Sequence, residues 1–241
     1  MFPSAPWIGA PGWYHLIVMG VLIPAVVVRN YRRLVGKSLP LPDRMRHFRS
    51  TAVVLVLLTS LSLLVANLQW IDVLQFNAAK LPQGAAAGVA MYIVAVLVMR
   101  PRWRHAVEKR ARIVHLFMPA NATERAWWVA VSTLAGIGEE ITWRCVQTTL
   151  LTVLTGSVVA GAVLSAISFG LAHYLQGWKS AAIITVFALC FQGVVWLSGS
   201  LYIAMAVHIA YDITAGLNYG RFGRELGYAS PAVTADTPVT V

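Results

Sequence analysis

Seven apolar stretches, near residues 11–28, 51–70, 85–99, 127–154, 157–176, 181–198 and 200–218, are divided by connectors too short to hold a separate domain. A helix rising about 1.5 Å per residue needs about 20 mostly apolar residues to cross a hydrocarbon layer. A chain built of such stretches must satisfy its backbone polar groups within each segment, because lipid offers no partners for them. The expected fold class is therefore all-α, a polytopic membrane helical bundle of about seven transmembrane helices. The stretch at 85–99 reads as short, and that at 127–154 as long enough to begin in the interface, with Trp127 and Trp128 in an aromatic belt.

Composition agrees. Of 241 residues 58% are hydrophobic and 12% charged, against about 25% charged in soluble domains, and the mean hydropathy is +0.68. A net charge of +10 would suggest nucleic acid in a soluble chain, but here the basic residues sit in the connectors. Seven spans put 17 of the 19 Lys and Arg on one side, leaving Lys80 opposite and Arg144 inside a span. By the positive-inside rule the N-terminus is outside and the C-terminus inside, in a multi-pass protein of the cell membrane. Nucleic acid is not an expected partner; membrane lipids are.

The first 28 residues hold no Lys or Arg, so a cleaved signal peptide with a basic start is not expected. Cys145 and Cys190 both fall in apolar runs and read as buried packing residues. Residues 1–119 form an N-terminal region with three spans, 120–220 a polar-cored membrane region, and 221–241 a flexible tail, with Gly, Ser, Thr and Pro enriched from Tyr219 onward.

Ionisable groups at membrane depth cost about 2.5 to 3.5 kcal/mol each on insertion scales and usually mark function. They gather in the C-terminal half: Glu139, Glu140 and Arg144 in the fourth stretch, His173 in the fifth, His208 and Asp212 in the seventh. Residues four apart share a helix face, so Glu140 pairs with Arg144, Phe169 lies on the face of His173, and His208 on that of Asp212. Glu139 is rotated by about 100° from Glu140 and points elsewhere. The residues imply one polar cavity shared by three helices. His15 reads as interfacial, His47, His105 and His115 as connector residues, Pro24 as a kink, and Asn67 and Gln69 as interfacial or helix-pairing groups. Gln192, Ser198 and Ser200 read as packing residues.

Glu139-Glu140-x-x-x-Arg144, Phe169-x-x-x-His173 and His208-x-x-x-Asp212, in that order on successive helices, resemble the three signature motifs of the CPBP family, the CAAX proteases and bacteriocin-processing enzymes. The resemblance covers residues 120 to 220. It implies an intramembrane endopeptidase acting on membrane-proximal or lipidated peptides, with Glu139 and His173 activating a water molecule and His208 and Asp212 facing the substrate carbonyl. Glu140, Arg144 and Phe169 would support them. Trp143 and Cys145 stand where the family usually has Phe and Gly, and Asp212 where many members have Asn. An ionised Asp212 would repel an oxyanion, so Asp212 is either protonated in the cavity or orients His208, and the second is the preferred expectation.

No metal or other cofactor is expected. A divalent ion such as zinc held by Glu139, His173 and His208 is the alternative, although no H-E-x-x-H motif occurs. Two other functions share these residues: a non-catalytic membrane scaffold or regulator that keeps the family fold, and a proton-coupled transporter.

Overall fold

The computed structural model describes residues 7–34 and 43–227, and among these every regular element is helical. Seven rods follow one another. They are α1 (Ala10–Leu34), α2 (Arg44–Leu68), α3 (Leu81–Glu108), α4 (residues 122–155), α5 (Val158–Ala172), α6 (Trp178–Ser198) and α7 (Tyr202–Glu225). Lys37 and the tail from residue 228 lie outside the described residues. Arg221 to Glu225, expected to belong to the flexible tail, are the last residues of α7. Its last turn is supported by an Arg221–Glu225 ion pair of 2.7 Å.

Local signals set the ends. The Asp43 carboxylate accepts from the Arg46 N–H (3.0 Å) and opens α2, and Asn121 accepts from the Glu124 N–H (2.9 Å) to open α4. Gly156 ends α4 with a φ of +67°, a conformation costly for residues with a Cβ, and Ser157 then caps α5. The third apolar stretch is not short: α3 runs for 28 residues.

Ala10–Leu34, Arg44–Leu68, Ala78–Glu108 and Trp178–Ser198 are long and apolar enough to cross a membrane. Residues 122–155 and Tyr202–Glu225 carry the buried ionisable groups, which lower their hydropathy, and Val158–Ala172 is apolar but has only 15 residues. Val53, Val54, Leu57 and Leu64 on α2, and Val89, Val94 and Leu97 on α3, are exposed. A polar interior with an apolar exterior is what a hydrocarbon solvent selects, and the chain is a membrane protein.

The centre of the bundle is α4, which packs against α2, α5 and α7. Close approach depends on small residues. A Cβ on Gly138 would run into Thr59 Oγ1 of α2, and one on Gly216 of α7 into the Trp128 ring. Trp128 is consequently no belt residue: it is 8% exposed, and its Nε1–H donates to the Asp212 carbonyl at 2.9 Å.

Candidate active site

Midway along α4 the hydrogen bonding changes from α to π over Glu140–Gln147, and all eight residues of that segment are buried. π-Helical stretches are rare and concentrate at functional sites. Glu139 is the last residue before the change and Glu140 the first within it. Adjacent positions therefore send their carboxylates in different directions.

Glu139 meets two imidazoles. Its Oε1 lies 3.9 Å from His173 Nε2 and its Oε2 lies 3.7 Å from His208 Nε2. Both separations exceed a direct hydrogen bond and suit an intervening water molecule. His173 lies just beyond the end of α5, where its Nδ1–H donates to the Phe169 carbonyl at 2.9 Å, with the two rings 4.5 Å apart. A carbonyl only accepts, so in the neutral ring the proton occupies Nδ1 and the Nε2 lone pair faces Glu139.

Glu140 performs two tasks. Its Oε1 accepts from His208 Nδ1 at 2.8 Å, and its Oε2 lies 3.4 Å from Arg144 Nε. An ionised carboxylate only accepts, so His208 donates its Nδ1–H to Glu140, and its Nε2, which faces the carboxylates of Glu139 and of Asp212, whose Oδ2 is 3.6 Å away, carries a proton as well. The orienting role expected of Asp212 therefore falls to Glu140, because only Glu140 comes within hydrogen-bond distance of the ring. Asp212 stands at the more open side of the cluster, its side chain 29% exposed against 0% for Glu140.

Arg144 is 2% exposed. Its ion pair with Glu140 is not aligned as a hydrogen bond, and its three guanidinium nitrogens have no hydrogen-bond partner among the described residues. Aromatic faces take their place: the guanidinium carbon lies 4.1 Å from the Phe169 ring centroid and 5.5 Å from that of Phe191. Phe169 thus serves His173 through its carbonyl and Arg144 through its ring. Trp143, at the first departure from the family pattern, packs edge-on to Phe169 at 5.1 Å. Cys145, the second, is fully buried in the apolar core.

Beside Glu139 and His173 lies a cavity of about 390 Å³, lined also by Ile23, His47, Ser50, Thr51, Val54, Leu55, Leu58, Trp143 and Ala172. Its walls are apolar along α2 and polar near the Asp43 end of that helix. His47 belongs to α2 rather than to a connector, and no spacing rule links residues of α1 and α2 to a site more than 80 positions later. Between Arg144, Thr148, Ser165 and Gln192 the packing leaves no room for a water molecule.

Glu139, His173 and His208 are the donors a divalent ion would use. Among the described residues no three or more His, Cys, Asp or Glu side chains are gathered as a ligand set.

No curated protein and no solved structure matches the chain. A family model does, described as Type II CAAX prenyl endopeptidase Rce1-like, over residues 121–214. The matched segment begins at the Asn121 cap of α4 and ends two residues after Asp212, enclosing each side chain of the cluster and leaving α1, α2 and α3 outside. That match runs over the motifs whose side chains converge on Glu139 and makes residues 121–214 similar to the CAAX prenyl endopeptidase family it describes.

Proposed function

We propose that this protein is a multi-pass endopeptidase of the cell membrane that hydrolyses a peptide bond of a lipidated or membrane-proximal peptide with a side-chain-activated water molecule. The observation that carries this reading is the Glu139 carboxylate standing 3.9 and 3.7 Å from two Nε2 atoms whose rings are each held at Nδ1. Water between Glu139 and His173 donates one hydrogen to each. Its lone pair attacks the scissile carbonyl carbon while Glu139 takes a proton, which then passes to the leaving amide nitrogen as the C–N bond breaks. His208, held by Glu140 and protonated at both nitrogens, donates its Nε2–H to the carbonyl oxygen as charge develops there. The substrate's apolar portion lies along Val54, Leu55 and Leu58, with the basic connectors on the cytoplasmic side.

The test uses purified protein in liposomes and two internally quenched peptides ending in a CAAX sequence, one prenylated and one not. Wild type cleaves the prenylated peptide, and Glu139→Gln loses about 10²- to 10⁴-fold in kcat while retaining its melting temperature. Cleavage of neither peptide by folded wild type overturns the peptidase reading. Metal analysis of the same sample, with activity measured after chelation, addresses the activating group. Full activity in metal-free protein supports the side-chain mechanism; loss on chelation with recovery on added zinc overturns it.

A further inference from the structure

His15 of α1 is fully buried, although its place near the end of a span reads as interfacial. Its Nδ1 lies 3.0 Å from Gln147 Oε1, its Nε2 lies 3.3 Å from Ser62 Oγ, and Ser62 Oγ lies 2.9 Å from Thr142 Oγ1. One direction satisfies every member: Thr142 donates to Ser62, Ser62 to Nε2, and the Nδ1–H to Gln147. α1 also supplies a carbonyl acceptor, since Ser168 Oγ donates to Met19 O at 2.9 Å inside the π turn Val18–Leu22. Gly20 brings α1 close here; a Cβ at that position would lie 2.8 Å from Gln147 Nε2.

Thr142 and Gln147 are the informative pair. They are five residues apart, and both lie within Glu140–Gln147. In an α-helix, positions five apart are separated by about 140° around the axis. In a π-helix they are one turn apart on a single face. A network joining both to one imidazole therefore fits the π register and opposes a return to α. Such a return would turn the far end of the segment against Glu139 by about one residue's turn, about 100°, parting Gln147 from Thr142 and shifting α4 against α7, where Glu140 holds His208.

We propose that His15, Ser62, Thr142 and Gln147 are positioning residues that lock the π register of α4, so that α1 and α2, which lie outside the family match, complete the catalytic geometry. The kinetic part rests on the peptidase reading above; the register does not.

His15→Phe keeps the volume and removes both bonds. On the prenylated quenched peptide kcat falls about tenfold to a hundredfold with KM changed by less than about twofold. His15→Gln, which keeps a polar group in place, recovers part of the loss. Hydrogen exchange of the 140–147 segment is followed in the same variants and in a Glu139→Gln background, where it reads the register whether or not the protein cleaves anything. Lost protection confined to that segment supports the proposal. A lower melting temperature with kcat and segment protection unchanged means that His15 only packs, and overturns it. Should His15→Phe not fold, Thr142→Val, isosteric and lacking only the terminal hydroxyl, is read by the same two outcomes.

Discussion

His208 Nδ1 is bonded to Glu140 Oε1 at 2.8 Å, while its Nε2 faces Glu139 Oε2 at 3.7 Å, so one imidazole spans both members of the glutamate pair. The second glutamate is thereby tied to the third motif as well as to Arg144. It holds the ring by its Nδ1–H and turns Nε2 toward Glu139 and Asp212.

Glu140→Ala and Asp212→Asn should separate clearly. Removing Glu140 leaves Arg144 buried without its counter-charge and frees the His208 ring, which costs about 3 to 5 kcal/mol of stability and reduces kcat. Asp212→Asn leaves the Glu140 bond in place and should keep activity within about tenfold, less than the loss typical of removing a proton-transfer group. Melting temperature and kcat on the quenched peptide check both; an Asp212→Asn loss equal to that of Glu139→Gln would return Asp212 to the proton-transfer step.

His173→Ala should lower kcat by about 10² or more with little change in melting temperature. The ring is a quarter exposed and its Nδ1 bond goes to a carbonyl of its own helix. Equal losses of stability and activity would show a structural role instead.

Leu58→Trp, which places bulk in the 390 Å³ cavity beside Glu139, should raise KM for the prenylated peptide several-fold and leave kcat at saturation nearly unchanged. A variant with unaltered KM would mean that substrate enters elsewhere.

At the end of α2 away from the apolar core, Arg44 Nε binds Glu124 Oε2 at 2.9 Å and its Nη1 lies 3.3 Å from the His115 ring nitrogens. Burial first, and the Arg44 guanidinium second, hold the His115 imidazole below its ordinary value, with Glu124 and Asp43 opposing them. The native state then binds fewer protons than the unfolded chain just below the ordinary histidine value of about 6.5, so stability falls as pH drops through that window. Wild type should lose melting temperature between about pH 7.5 and 5.5, and His115→Gln should lose less; identical pH profiles would remove His115 from the account.

Gly138→Ala should cost about 1 to 3 kcal/mol by overpacking α2 against α4, since the added Cβ runs into Thr59 Oγ1. Adding Thr59→Ala should restore most of that loss, and a double-mutant cycle on melting temperature reads the coupling.

Spacing within a single helix is legible in the residue order alone. Glu140 with Arg144, Phe169 with His173, and His208 with Asp212 each face together because four residues make about one turn, and the three pairs do surround one point. Hydropathy likewise locates all seven rods, misjudging the length of α3 and the end of α7. Neither signal reaches across helices. The bond between Glu140 and His208 joins positions 68 apart, and that between His15 and Gln147 joins positions 132 apart.

By itself, then, the sequence determined that this chain is helical and membrane-embedded and which side chains would be costly to bury without use, because both follow from local composition and a fixed helical period. Only the tertiary structure decided that Glu140 rather than Asp212 orients His208, that α4 adopts a π register at the glutamate pair, that Trp128 and His15 are interior residues, and that α1 and α2 wall the cavity. Those facts depend on the rotation and axial register of each helix against its neighbours. Small residues such as Gly138, Gly216 and Gly20 permit that close approach, and side-chain packing between elements remote in sequence fixes it.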